Sequence, residues 1–423
     1  MKKKVVLTPE KARKAEHYAI YSSCCGFTGE AVLTDSAVII LFASILGASD
    51  MFSMISTSFL PLFNGLLIIP MALITHKTHD KKIILTSCIL ATTAYFLAAS
   101  APFWGEYAVF VLIASILAFA LSLPGFIACW FPLLSTFIAK DKRTSFFSRM
   151  RFCHQMTGVI FLFITGLLLG KQPAVWQLQA AIFAGAIIFA GRALFIARIP
   201  NFEDGTTNSS SFKNGLRKAM KNSPLVNFSV YFFILNLASW GAIPLMTIYL
   251  KNKLNASDNL IVIISGITLT GMLSGYLIAN RLIKFLHMKK SLYLIHISYI
   301  VINVIFFFVS SGNLMTYILI ALLLAMYSLM TAVASIIASS GMLALAHGKN
   351  KNIAMALCGA FYYSGSGLSR LLSSLLLGSN LLVFDYYLGS MHISHYQTLF
   401  LIYALFLASS ILWLKLKIFH REL

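Results

Sequence analysis

Charge is scarce in this 423-residue sequence: Asp, Glu, Lys and Arg together make up 11% of it, and only 13 residues are acidic. Soluble domains carry roughly a quarter charged and about half apolar residues. A chain that is 59% hydrophobic with so little charge cannot hide its apolar side chains in one water-soluble core. Cysteine is sparse too. The six (Cys24, Cys25, Cys88, Cys129, Cys153 and Cys358) sit in or beside apolar runs, with no spacing of a disulfide framework or metal site. The vicinal pair Cys24-Cys25 reads as core filling. A phosphate-cradling glycine loop is missing, which removes nucleotide hydrolysis as a source of work. Missing as well are a metal cluster, a nucleophile with its base, and two acids on one helix face, so no enzyme and no cofactor is expected. The basic start Met1-Lys2-Lys3-Lys4 is followed by only Val5-Val6-Leu7 before polar residues resume, which is no secretory signal.

What is present is a series of apolar runs, each near the roughly 20 residues that a helix needs to cross a bilayer core of about 30 Å. They read as twelve spans, near 18–45, 51–75, 83–101, 107–136, 152–170, 177–199, 225–250, 259–284, 291–311, 315–345, 353–378 and 397–417. The widest polar interval, Pro200 to Ser223, divides them six and six. This predicts an all-α integral membrane protein: a bundle over 1–199 opening with a short basic helix, a linker over 200–224, and a second bundle over 225–423. Thr8-Pro9-Glu10 marks the start of the basic helix, as an N-cap, a first-position proline and a first-turn acid. That helix is expected to lie along the inner leaflet.

A net charge of +20 suggests nucleic acid in a soluble protein, but placement decides otherwise. All Lys and Arg except Lys171, Lys251, Lys253 and Arg370 fall into seven clusters at every second break between runs, the Arg192 to Lys221 stretch among them. Basic loops on one face mark the cytoplasmic side. Both ends of the chain are therefore expected in the cytoplasm, with Asn208 and Lys349 on that side and Gly105 and Ser390 outside; the partners are lipid and a small solute, not nucleic acid. The expected form is a monomer in a bacterial cytoplasmic membrane.

The two bundles repeat. At an offset of 208, Ala48-Ser49-Asp50 falls on Ala256-Ser257-Asp258, His79-x-Lys81-Lys82 on His287-x-Lys289-Lys290, and Leu167 to Gly170 on Leu375 to Gly378. At 207, Lys142 and Gly158 fall on Lys349 and Gly365. Each match is weak, and the shared offset carries the weight. Six spans per repeat make it a parallel one. With cytoplasmic ends and a long central loop, the chain resembles the major facilitator superfamily over nearly its whole length. The loop signature of that family between spans two and three is eroded, with Ala72, His76 and His79 at its glycine and acid positions and only Lys77 and Lys81 keeping its basic character. The glycine-proline pattern of drug antiporters is absent from span five, where Gly158, Gly166 and Gly170 have no proline among them. The resemblance implies two rocking bundles around a central site, with Pro124 and Pro244 breaking helices that border it.

Charges inside spans are expensive and usually functional. Glu30, Asp35 and Arg370 stand out as coupling candidates. On a regular helix Glu30 lies about 18 Å and Asp35 about 26 Å along from Tyr18, and the two point some 140° apart, so they cannot serve one site. A carboxyl withdrawn from water favours its protonated form, which suits a proton carrier. The alternatives are hydration of Asp35 near the outer end and an interhelical hydrogen bond for Glu30. Arg370 cannot discharge, so it needs a carboxylate, a wet cavity or an anionic solute; a pair with Asp35 or Glu30 that switches during transport is expected. Tyr362 to Arg370 is rich in glycine and serine, a composition for close helix packing. Trp130, Trp240, Tyr362 and Tyr363 are the candidates for the substrate cavity, with packing as the alternative role for the tryptophans. His154-Gln155 joins a proton path or is structural. These features predict a proton-coupled secondary transporter of a small organic solute. The competing reading is a sensor or assembly factor that has kept a transporter fold, which the eroded signature favours.

Overall fold

The computed structural model describes residues 8–75, 80–139, 142–200, 212–346, 351–379, 381–382, 385–389 and 391–413. Asn208, Lys349, Ser390 and the loop residues His76, Lys77 and His79 lie outside them.

The chain is helical almost throughout. Helix α1 (Pro9–Glu30) opens as the sequence predicts, with the Thr8 hydroxyl accepting from the Lys11 amide at 3.4 Å and Pro9 in the first turn. Lys14 bonds Glu10 at 2.7 Å one turn away and holds that carboxyl below its usual range. The expected separate surface helix does not exist, because nothing between Glu10 and Tyr18 interrupts the hydrogen-bond ladder, and α1 runs straight into the first span. It ends in a π turn, Ala31–Asp35, and resumes as α2 (Ala37–Ile45) after a 45° bend. The second span is α3 (Asp50–Ile55) and α4 (Phe59–Thr75), separated by Ser56, Thr57 and Ser58. The hydroxyls of those three residues bond back to the carbonyls of Ser53, Met54 and Ile55, in competition with the regular ladder.

There follow α5 (Asp80–Ala99), a 3-10 stretch Ala101–Tyr107, α6 (Ala108–Ser122), α7 (Pro124–Ser135), α8 (Arg143–Leu168) and α9 (Val175–Arg198). Pro124 starts α7, so the fourth span is broken where the sequence places a proline. After the amphipathic α10 (Phe212–Lys221) come α11 (Ser223–Leu237) and α12 (Ala242–Asn252), which are one span broken before Pro244. The remaining helices are α13 (Asp258–Phe308), α14 (Leu314–Leu345), α15 (Lys351–Gly378) and α16 (His395–Trp413).

By length and apolarity alone, seven helices qualify as membrane spans among the described residues, or eight with the bent first one. The difference from twelve has physical causes. The 51 residues of α13 are two antiparallel arms: the Asp258 amide bonds the Lys171 carbonyl at 3.1 Å, and the Val309 carbonyl takes the Tyr249 hydroxyl at 2.6 Å, so both ends meet the same surface. The reversal is at His287, whose φ of 60° is left-handed. Serines and charge lower the apolarity of α15, and helix breaks shorten α4. A two-stranded hairpin, β1 (Asp385–Leu388) with β2 (Met391–Ser394), is the one element outside the all-helical expectation among the described residues. It marks what we call the hairpin end; the opposite end carries the basic loops.

Within the first half α1 packs on α8 and α9, and α5 on α6, α7 and α9; within the second, α11 packs on α15, and α13 on α14 and α16. The halves meet along α4 with α15 and α8 with α13. The first of these contacts is close because Gly65 faces Ser364 and Gly367 faces the Leu62 backbone, leaving no room for a Cβ. The repeat is visible in detail. Ser49-Asp50 and Ser257-Asp258 each start the second span of their half. Gly158 lies against Phe27 of α1 as Gly365 lies against Phe233 of α11.

Candidate functional site

Three helix breaks converge on one side chain. A break releases backbone groups that the apolar interior cannot solvate, and each must find a partner. Arg370, on α15 and 4% exposed, supplies it. Its guanidinium donates to the Thr57 carbonyl at 2.9 Å, the Thr34 carbonyl at 3.4 Å and the Trp240 carbonyl at 3.4 Å, and it pairs with the Asp35 carboxylate. These acceptors come from the breaks in spans one, two and seven. Around the same point the Ala37 amide donates to Ser265 Oγ at 3.3 Å and the Gly241 amide to Ser369 Oγ at 2.9 Å. The guanidinium also lies 5.4 Å from the Trp240 ring. Asp35, Thr34 and Thr57 belong to one half and Arg370 to the other, so this cluster ties the halves together.

Further polar links between the halves gather toward the hairpin end. Asp50 takes hydrogen bonds from Asn252 at 2.6 Å and from the Tyr396 hydroxyl. Within the second half, at the same end, Lys251 pairs with Asp258 and Lys253 with Asp385 at 3.1 Å, which accounts for two of the four basic residues that stood outside the sequence clusters.

Glu30 does not pair with Arg370. Its partner is Arg192 of α9, which bonds the carboxylate and lies 4.1 Å from the Phe126 ring and 5.1 Å from that of Phe189. This corrects the placement of Arg192 in a basic loop: the side chain is 4% exposed and lies on the buried face of α9, with Gly185, Phe189 and Ile196. Glu30, by contrast, is 26% exposed. The Arg192 guanidinium lies on the backbone of α1 at Gly26, where a Cβ would overlap it.

The regular-helix spacing of Glu30 and Asp35 also fails, because the π turn lies between them. The conclusion drawn from it holds, since each acid has its own arginine. Asp35 is not a buried carboxylate: its side chain is 47% exposed, so burial in that pair belongs to the cation.

The aromatic candidates separate by position. Trp240, Tyr362 and Tyr363 are partly exposed and run in sequence below Arg370, with centroids 6.2 Å apart for Trp240 and Tyr362 and 5.7 Å for Tyr362 and Tyr363. Glu30 and Arg151 both lie within electrostatic range of Tyr363. Trp130 is 7% exposed and stacks behind Phe126 at 5.1 Å. His154 stacks on Phe27 at 4.5 Å and bonds Ser23 Oγ at 2.9 Å, and Gln155 reaches across to the Leu269 carbonyl at 3.5 Å.

Two helical halves, broken spans facing each other, and a buried arginine that ties the halves together define a membrane transporter fold. The model of the Major Facilitator Superfamily matches residues 21–369, and the chain belongs to that family. Among solved structures, a D-xylose-proton symporter is similar with a TM-score of 0.70 at 9% identity, covering 98% of each chain. The nucleoside transporter NupG has a TM-score of 0.65 at 12% identity, covering 96% of this chain and 100% of its own. A bacterial homolog of the human lysosomal transporter Spinster, inward-facing and unoccupied, has 0.68 at 12% identity, covering 96% of both. No curated protein matches the sequence.

Proposed function

We propose that this chain carries a small organic solute across a bacterial cytoplasmic membrane by alternating access, as a symporter driven by a proton carried on Glu30. The observation that carries the coupling is the unequal exposure of the Glu30–Arg192 pair. In this reading the acid, a quarter exposed, opens toward the space between the halves while the arginine is fixed between two rings and the α1 backbone. A proton can therefore come and go on Glu30 without moving its partner, and each arrival changes the charge facing the solute by one unit. The bundles 1–199 and 225–423 are the rocking bodies in this reading. In this reading the end that carries the basic loops is cytoplasmic, the closed Arg370 cluster seals the outer side and the arrangement is inward-facing.

Two results are expected. Cysteines replacing Arg217 at the basic end and Glu106 in the 3-10 stretch should react with an impermeant maleimide from opposite sides, Arg217→Cys only from the cytoplasm; reaction from one side would end the twelve-span topology. Glu30→Gln keeps shape and hydrogen bonding but cannot titrate. In proteoliposomes it should retain solute exchange and lose accumulation driven by an imposed proton gradient; accumulation equal to the parent would remove the proton from Glu30. The likeness to a D-xylose-proton symporter agrees with this coupling and is no more than support for it.

A further inference from the structure

We infer that the solute is a ring-bearing organic anion with one carboxylate, and that Arg151 binds the carboxylate. This rests on the transporter reading above and narrows its substrate class.

Arg151 lies two turns into α8 and resembles a loop arginine in the sequence. The structure turns it inward: its guanidinium faces the Tyr276 ring of α13, in the other half, at 5.7 Å. The neighbouring Phe152 is the residue that faces outward, 37% exposed. Arg149, two positions earlier, already has a carboxylate in Glu16 at 3.4 Å. Among the described residues no carboxylate lies within ion-pair distance of Arg151. Partly exposed, it stands between the halves with an aromatic ring opposite its charge.

The charge balance at this level then leaves a surplus. Glu30 is offset by Arg192, and Asp35 by Arg370 at the closed end. Arg151 adds one uncompensated positive charge. A guanidinium presents paired donors that match a carboxylate, and one surplus cation matches one negative charge rather than a dianion. The walls supply the rest of the description. Phe27, Tyr276, Tyr362 and Tyr363 are all partly exposed, and Tyr362 and Tyr363 lie within electrostatic range of Arg151. Rings in this number favour a planar partner over an aliphatic one. The same geometry couples the two ligands. Protonating Glu30 removes a negative charge that faces the solute beside Arg151, so proton and anion each favour the binding of the other.

The test uses purified full-length protein and matched acid and amide pairs: benzoate with benzamide, nicotinate with nicotinamide, 4-hydroxyphenylacetate with its amide. Thermal shift and tryptophan fluorescence are read on the parent, Arg151→Gln, Arg151→Lys and Glu30→Gln. At least one acid should bind the parent and its amide should not. Arg151→Gln should lose about ten- to a hundredfold in affinity for that acid, the worth of a hydrogen bond to a charged group. Arg151→Lys should recover part of the loss, and Glu30→Gln should bind at least as tightly as the parent. Binding of amides alone, binding of no acid in the series, or an acid bound equally by Arg151→Gln overturns the proposal. Proton-driven accumulation of a neutral solute would overturn it while leaving the transporter reading intact. Loss of binding in Arg151→Gln together with normal accumulation by Glu30→Gln would support the anion site and remove the proton from Glu30.

Discussion

Gly26→Ala should lower the stability of the purified protein by about 3–5 kcal/mol. The added Cβ falls on the Arg192 guanidinium. That group cannot retreat, because Phe126 and Phe189 lie against it and Glu30 holds it at the far side. Either α1 and α9 separate or the ion pair breaks, and breaking a buried pair from one side costs about that much, since it leaves a charge without compensation. Gly170→Ala is the control, because open space surrounds that position. Replacing the pair as well, in Gly26→Ala with Arg192→Leu and Glu30→Gln, should restore much of the lost stability. The readouts are the melting temperature in detergent and the folded fraction by size exclusion. A melting temperature for Gly26→Ala equal to that of Gly170→Ala would mean that Arg192 is not seated on α1.

Arg370→Ala should be nearly as costly, again about 3–5 kcal/mol, and should abolish transport. One guanidinium serves the Thr34, Thr57 and Trp240 carbonyls as well as Asp35, and truncation orphans the acceptors of three broken helices together. Lysine is no substitute, because its single ammonium group cannot present a planar fork to several acceptors. The partner behaves differently. Asp35 is half exposed, so Asp35→Asn should change stability by no more than about 1 kcal/mol, in the range of exposed pairs. This asymmetry is the test: equal losses for the two variants would show that the ion pair, and not the carbonyls, holds the cluster.

Much of this was legible in the sequence, and for identifiable reasons. Lipid leaves no choice of backbone structure, so apolar length predicts spans, and the shared offset exposed the repeat that Gly158 and Gly365 display. The scarcity of charge pointed to Glu30, Asp35 and Arg370, and a pairing of Arg370 with Asp35 or Glu30, of which the structure has the one with Asp35, was foreseen. Arg192 was not. It sits six residues before Arg198, at the end of an apolar run, and a count of charges per loop absorbs it. Its helical phase with Gly185, Phe189 and Ile196 was the available signal, because a charge on the most apolar face of a span cannot be a loop residue. Arg151 was lost to the same counting. The helix breaks at Ser36 and at Ser56-Thr57-Ser58 have no proline, and hydroxyl side chains that bond their own backbone act too weakly in isolation to be read from sequence. Only the guanidinium that collects the freed carbonyls makes those breaks stable.

Because two of the acceptors that the first half offers Arg370, at Thr34 and Thr57, are main-chain carbonyls, they cannot titrate away or rotate out of reach when the halves part. Opening that end must therefore be a wetting event. Each carbonyl released by the arginine has to gain a water molecule in the same step, and closing must strip those waters again. The hydration of two peptide groups, those of Thr34 and Thr57, thus belongs to the barrier between the two states. Solutes excluded from the cavity should favour the closed form osmotically, whatever the transported molecule.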